Sequence, residues 1–77
     1  MVPIPQPTPS FLDTCDKVKV QGGQQIWASP DRRRYYTWDC LHGEVEGFNR
    51  RGHHLGAFDA VSGEQIKDGV RGRKINV

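Results

Sequence analysis

The run Trp38-Asp39-Cys40-Leu41-His42-Gly43-Glu44-Val45-Glu46-Gly47-Phe48 packs ionisable groups more densely than any other part of this 77-residue chain. On an extended strand side chains alternate faces, so Glu44, Glu46 and Phe48 share one face and Val45 takes the other. If the extended path begins near His42, its imidazole joins that same face, while Asp39 ends the preceding strand just before the bend. One surface then carries an imidazole, two carboxylates and an aromatic ring, with a third carboxylate nearby. Three readings fit. The first is a solvated polar face of a half-exposed sheet, which accounts for polar residues but does not predict a bent Asp-x-x-His-Gly turn. The second is a metal site with His53 and His54 as extra ligands. The third is metal-free acid–base chemistry, in which a carboxylate takes a proton and the imidazole gives one.

RNA is a natural substrate for the third reading, because it carries its own nucleophile, the 2′-OH beside the scissile phosphate. Such a reaction needs a base for that hydroxyl, an acid for the leaving 5′-oxygen and a cation to balance the charge built up at phosphorus. Glu46 or Glu44 can serve as base, His42 as acid and a neighbouring arginine as clamp. Trp27, Tyr35, Tyr36, Trp38 and Phe48 offer ring faces for an unstacked base, although in so small a chain most of them must form core.

The elements that position these residues are short. Gln24 to Ala28, Arg33 to Cys40, Glu44 to Asn49 and His53 to Phe58 are rich in aromatic or β-branched residues, and turn residues such as Ser29-Pro30-Asp31, Gly43 and Arg51-Gly52 close them. Gln65 to Lys67 and Arg73 to Val77 add a further strand and a tail. Connections this short favour an antiparallel meander, since parallel pairing needs crossovers of about a dozen residues. Upstream, Ser10 to Lys17 is expected to form one or two helical turns, with Ser10 as N-cap and Asp13 at the capping-box position. Residues 1–9 alternate with proline and read as an extended linker. The expected fold class is α+β, mainly β: a short N-terminal helix followed by a small, highly twisted antiparallel sheet, within residues 10–77.

Composition bounds the rest. At 8.7 kDa there is room for one small domain and none for a cofactor-binding domain beside a substrate domain. A chain this short buries only about 60% of its unfolded surface, so a bound partner or a parent chain is expected to help stabilise it. No apolar run approaches a bilayer span, and Met1 to Ser10 lacks the charged and apolar regions of a signal peptide, so no membrane span and no self-export are expected. The formal charge is only +2, yet nine of the eleven basic residues fall between Arg32 and Lys74 against six acids, with clusters at Arg32-Arg33-Arg34 and Arg50-Arg51. An anionic polymer fits this distribution, as does a solvated basic face. Cys15 and Cys40 match no zinc spacing and are expected as free, partly buried thiols rather than a disulfide.

The signature Tyr36-x-Trp38-Asp39-x-x-His42-Gly43-Glu44-x-Glu46-Gly47, followed in register by His54-Leu55-Gly56-x-Phe58-Asp59 and Gly63-x-Gln65-x-Lys67, resembles the cytotoxic ribonuclease domain of the ribosome-inactivating colicins. The resemblance runs from Trp27 to Ile75. It implies an endoribonuclease that works without metal or cofactor and cleaves 16S ribosomal RNA at the decoding centre of the 30S or 70S ribosome. It also implies delivery as part of a larger secreted toxin, a bacteriocin or contact-dependent inhibition toxin, into the cytoplasm of target bacteria. A cognate acidic immunity protein would bind one-to-one. By position, the catalytic set is Asp39, His42, Glu46 and Arg73, with Glu46 as general base, His42 as general acid, Arg73 stabilising charge and Asp39 orienting the pair. Arg33, Glu44, Phe48, Tyr36 and His54 fall on positions that contact or place the substrate. Phe48 replaces a tyrosine of the family, the Asn49–Gly52 hairpin is one residue shorter, and Gly22 to Ile26 lacks a Lys/Arg cluster. His53 has no counterpart. Two competitors stand beside this reading: a metal-dependent nuclease of the His-Asn-His type, suggested by Gly52-His53-His54, and a non-catalytic RNA- or ribosome-binding module.

Overall fold

Six strands follow one another in the computed structural model, which describes residues 2–77: β1 (Asp16–Gln21), β2 (Gln24–Ala28), β3 (Arg34–Asp39), β4 (Glu44–Asn49), β5 (His54–Phe58) and β6 (Gln65–Asp68). They form a single antiparallel sheet in chain order, so every strand pairs only with its neighbours in sequence. This is the meander that the short connections require. The bounds of β2 and β4 are those expected; β3 and β5 each begin one residue later than expected, and β3 also ends one residue earlier.

Two elements differ from expectation, the N-terminal helix and β1, a strand not among those expected. The N-terminal helix is only a 3-10 turn, Phe11–Thr14. The Ser10 amide donates to Asp13 Oδ2 at 2.8 Å, as the capping box predicts. Cys15, however, is already extended (φ −110°, ψ 165°) and leads directly into β1. The sheet is therefore preceded by a turn, and among the described residues the fold is mainly β with no α-helix. Gln65 to Lys67 lies in β6 and Arg73 to Val77 is a tail, as expected; the tail makes one bridge, His53 with Lys74. Backbone bonds from His54 N to Arg73 O (2.9 Å) and from Ile75 N to Gly52 O (2.8 Å) hold it beside the β4–β5 turn.

The core lies on one face of the sheet. Leu12, Trp27, Tyr36, Val45 and Phe58 form it, with Phe11, Trp38 and Leu55 packed at its edge. Tyr36 sits edge-on to both Phe11 (5.1 Å) and Phe58 (5.8 Å), an arrangement that suits aromatic quadrupoles. Each large apolar side chain buried here contributes about 1.5–3 kcal/mol. Gly47 lies under Phe58, where an added Cβ would overlap the ring. Cys15 and Cys40 are both free thiols.

The opposite face carries a cross-strand row, Thr37, Glu46, Ala57 and Lys67, set by the registers of β3 to β6. Register slips at Gly47/Phe48, where Phe48 pairs with His54 and Leu55 is left over as a bulge. Gly56 beside it has φ +144°, and a Cβ there would run into the Lys67 carbonyl. The Gln65 amide donates to Leu55 O at 2.9 Å and so satisfies the bulged residue. At the other end of the hairpin, Ile4 N donates to Cys40 O (2.8 Å) and Ile4 O accepts from Trp38 Nε1 (3.0 Å), seating the proline-alternating segment on the β3–β4 turn.

Candidate active site

The β3–β4 turn is built around the Asp39 carboxylate. Oδ1 accepts from the Leu41 and His42 amides at 3.0 and 3.2 Å, and the Gly43 amide closes the turn on Asp39 O at 2.8 Å. Gly43 ends it with φ +68°, a conformation that favours glycine. Oδ2 is left for His42 Nδ1, 2.7 Å away. A carboxylate there accepts, so Nδ1 carries the proton and Nε2 faces outward. The imidazole is 56% exposed and can be reached from solvent. Partial burial pushes the Asp39 carboxyl upward, but the bonds from the His42 ring and from the two amides outweigh it and hold it below its ordinary value.

Glu46 is placed differently. Its residue is only 6% exposed, so the solvated-face reading does not hold for it. Oε2 lies 2.8 Å from His54 Nε2 and Oε1 lies 3.2 Å from an Arg73 guanidinium nitrogen. The Val70 amide donates to His54 Nδ1 at 2.9 Å, so that nitrogen is an acceptor and the ring proton sits on Nε2, directed at Glu46. Two of the four lone-pair directions of the Glu46 carboxylate remain free to accept a further hydrogen bond.

Asp39, His42, Glu46 and Arg73 line one cleft of about 490 Å³, with Lys74 and Ile75 on its rim. A smaller hollow of about 150 Å³ on the far side brings Glu44, Lys67 and His54 to the same His42–Glu46 pair. Glu44 Oε1 bonds Lys67 Nζ at 2.9 Å, and that bond raises the lysine above its ordinary value. One ligand atom each of Asp39, His42 and Glu44 lies within 4.8 Å of the others. His53 and His54 are not part of that group.

The residues expected at the substrate separate into three sets. Glu44 stands in the smaller hollow that shares His42 and Glu46 with the cleft. Arg33 is exposed and lines a different groove. The other three have side chains with little exposure. Tyr36 is 3% exposed in the core, on the face away from Glu46. Phe48 is 2% exposed and packs against the His54 ring at 5.3 Å, so it floors the cleft and offers no open face to a base. His54 has both ring nitrogens occupied and a 3% exposed side chain, which makes it a positioning residue for Glu46. Lys67 was not foreseen. Its signal lay in register alone, because Ala57 pairs with both Glu46 and Lys67. Ile4 was not foreseen either, because nothing in a proline-alternating stretch marks its contact with Cys40 and Trp38.

Comparison with known proteins gives a consistent set of similarities. A family model described as Cytotoxic matches residues 3–76. Cloacin of Escherichia coli is 44% identical over 55 residues, covering 66% of this chain and 10% of cloacin. Colicin E3 of Escherichia coli is 43% identical over 47 residues, 60% of this chain and 8% of that protein. Colicin-E6 of the same organism is 40% identical over 55 residues, 66% of this chain and 10% of that protein. The chain thus spans about a tenth of the length of these curated relatives.

Proposed function

The chain belongs to the Cytotoxic family, and from that premise we propose that it is the endoribonuclease domain of a larger bacterial toxin, cleaving 16S ribosomal RNA at the decoding centre without a metal. One observation carries the reading: His42 and Glu46 line a single cleft, each held by partners of its own. Glu46 takes the 2′-OH proton as that oxygen attacks phosphorus. His42 acts as the doubly protonated ring: Nδ1–H stays on Asp39 while Nε2–H passes to the leaving 5′-oxygen, and the products are a 2′,3′-cyclic phosphate and a 5′-OH. Asp39 orients the imidazole and stabilises its charged form, as a carboxylate does in other His-dependent sites. Arg73, beside Glu46, balances charge at phosphorus.

The cluster Asp39, His42 and Glu44 favours a metal-dependent alternative. Against it, the short bonds within Asp39–His42 and Glu44–Lys67 already occupy Asp39 Oδ2, His42 Nδ1 and Glu44 Oε1. Carriage on a larger secreted toxin, action in the cytoplasm of target bacteria and a one-to-one acidic immunity protein belong to the same proposal. They rest on the resemblance and on relatives about ten times longer.

Primer extension on 16S rRNA from ribosomes treated in EDTA tests the reading. A discrete stop near the decoding centre is expected, and a substrate with a 2′-deoxy sugar at that position should bind and stay intact. Loss of cleavage in EDTA, or products with a 5′-phosphate, would move the chain to the metal-dependent class. Binding without cleavage in either buffer would make it an RNA-binding module.

A further inference from the structure

The cleft runs from the β3–β4 turn along β4 to the docked tail, and beyond it the open end of the β3–β4 hairpin carries a second concave surface with no part in the proton transfers. Arg33, from the β2–β3 connection, and Asn49, Arg50 and Arg51, from the β4–β5 turn, line a groove of about 540 Å³. Three successive arginines have three different surroundings. Arg32 is tied to Asp16 at 2.8 Å, and Arg34 lies over the Phe58 ring, 5.9 Å from its centroid. Arg33 has no ion-pair partner among the described residues, nor do Arg50 and Arg51. The turn beneath them is fixed: Asn49 Oδ1 accepts from the Arg51 and His53 amides at 2.9 and 3.0 Å, and Gly52 O accepts from Ile75 N.

The groove is also continuous with the cleft. Arg51 lines a smaller hollow with Lys74 and Ile75, and those two residues form the rim of the cleft that holds His42 and Glu46. We propose that the Arg33–Arg50–Arg51 groove is a second phosphate site, holding the RNA backbone at a fixed distance from the scissile bond; this rests on the ribonuclease reading. Glu46 and Asn49, three residues apart on β4, set that distance at about 10 Å, from a rise of about 3.4 Å per residue. At the stacked spacing of about 3.4 Å per phosphate this is about three nucleotides. Guanidinium groups suit phosphate oxygens bidentately. The lining holds three guanidiniums and one amide with no aromatic or apolar anchor, which disfavours a protein partner, whose affinity concentrates in such anchors.

The test uses the whole chain carrying His42→Ala, so that RNA stays intact, with single-stranded RNA oligomers of about 2 and 12 nucleotides across a salt series. The longer oligomer should bind more tightly. Adding Arg50→Ala and Arg51→Ala should remove that gain and reduce the slope of log affinity against log salt by about 1.4, at about 0.7 per phosphate contact. The charge-matched pair Lys17→Ala and Lys19→Ala, on β1 away from the groove, should leave both in place. Equal losses in the two pairs would mean net charge alone is read. A length gain that survives the arginine substitutions would overturn the site and leave an acidic protein as its partner. Failure of the unsubstituted chain to cleave RNA is a separate result: it sinks the ribonuclease reading and with it the fixed distance to a scissile bond, whereas a missing length gain with cleavage intact sinks the groove alone.

Discussion

His54 Nε2 stands 2.8 Å from Glu46 Oε2 because β5 carries one residue more than β4 at that point. In unbroken register Phe48 would face Leu55, and His54 would turn to the core side. The bulge sends Leu55 to the core edge and brings His54 round to Glu46. A bulge that re-aims a side chain is a known device of sheets, and here it supplies a buried carboxylate with a fixed donor.

His54→Leu should therefore lower kcat about 10- to 100-fold, the kinetic equivalent of losing a charge-assisted hydrogen bond of about 1.5–3 kcal/mol. KM should stay close to its starting value. The acidic limb of the pH–rate profile should change shape, which a mere loss of folded protein leaves in place. A variant with an unaltered profile would reduce His54 to packing.

Glu46→Gln and His42→Ala should each lower cleavage by about 10² to 10⁴. Their stabilities should differ. Glu46 is buried between two donors, so its amide analogue should cost about 1–3 kcal/mol, whereas the half-exposed His42 should cost about 0.5 kcal/mol or less. Thermal melts beside activity assays check both, and near-normal cleavage by either folded variant would remove its assigned role.

Arg73→Ala should damage turnover as much as a substitution of the acid or base, because its guanidinium stands 3.2 Å from Glu46 Oε1 in the cleft. Lys74→Ala should have a small effect that fades as salt is raised. Similar mild losses at both positions would return Arg73 to an ordinary solvated tail.

Acid should expose the contribution of Asp39. Its carboxyl is held below the ordinary 3.8 by bonds that outweigh its partial burial. A group depressed on folding stabilises the protein above its unfolded value and loses that contribution as pH falls through the folded one. The melting temperature of the wild type should exceed that of Asp39→Asn by a steady margin down to about pH 4, then converge below it. A margin that persists at lower pH would contradict the Asp39–His42 coupling.

The strands were legible wherever apolar and polar residues alternate against a core, as in β2 and β4. β1 was not, although Lys17-Val18-Lys19-Val20 alternates: as an edge strand it leaves Val18 and Val20 38% and 65% exposed, and no burial marks it. The helix expected from Ser10 to Lys17 has its capping box, but pairing with β2 claims the chain from Asp16. Of the site, the residues on one turn and one strand face could be placed from spacing. Roles that depend on register across strands, those of Lys67 and His54, could not, because one bulge reverses the face. Aromatic type alone could not tell Tyr36 in the core from a platform for a base.

A sheet in which every strand is bonded only to the one before and the one after needs no long loop to be closed before pairing begins. Loop-closure cost and contact order are both low for its backbone ladder. A chain of this kind that emerges end-first from a ribosome or a pore can zip up hairpin by hairpin as it appears. Chemistry would lag behind assembly, however. Arg73 lies downstream of all six strands and reaches Glu46 only once the tail has bridged His53 through Lys74. A chain emerging N-terminus first would thus hold a nearly finished sheet that stays inert until its last segment docks.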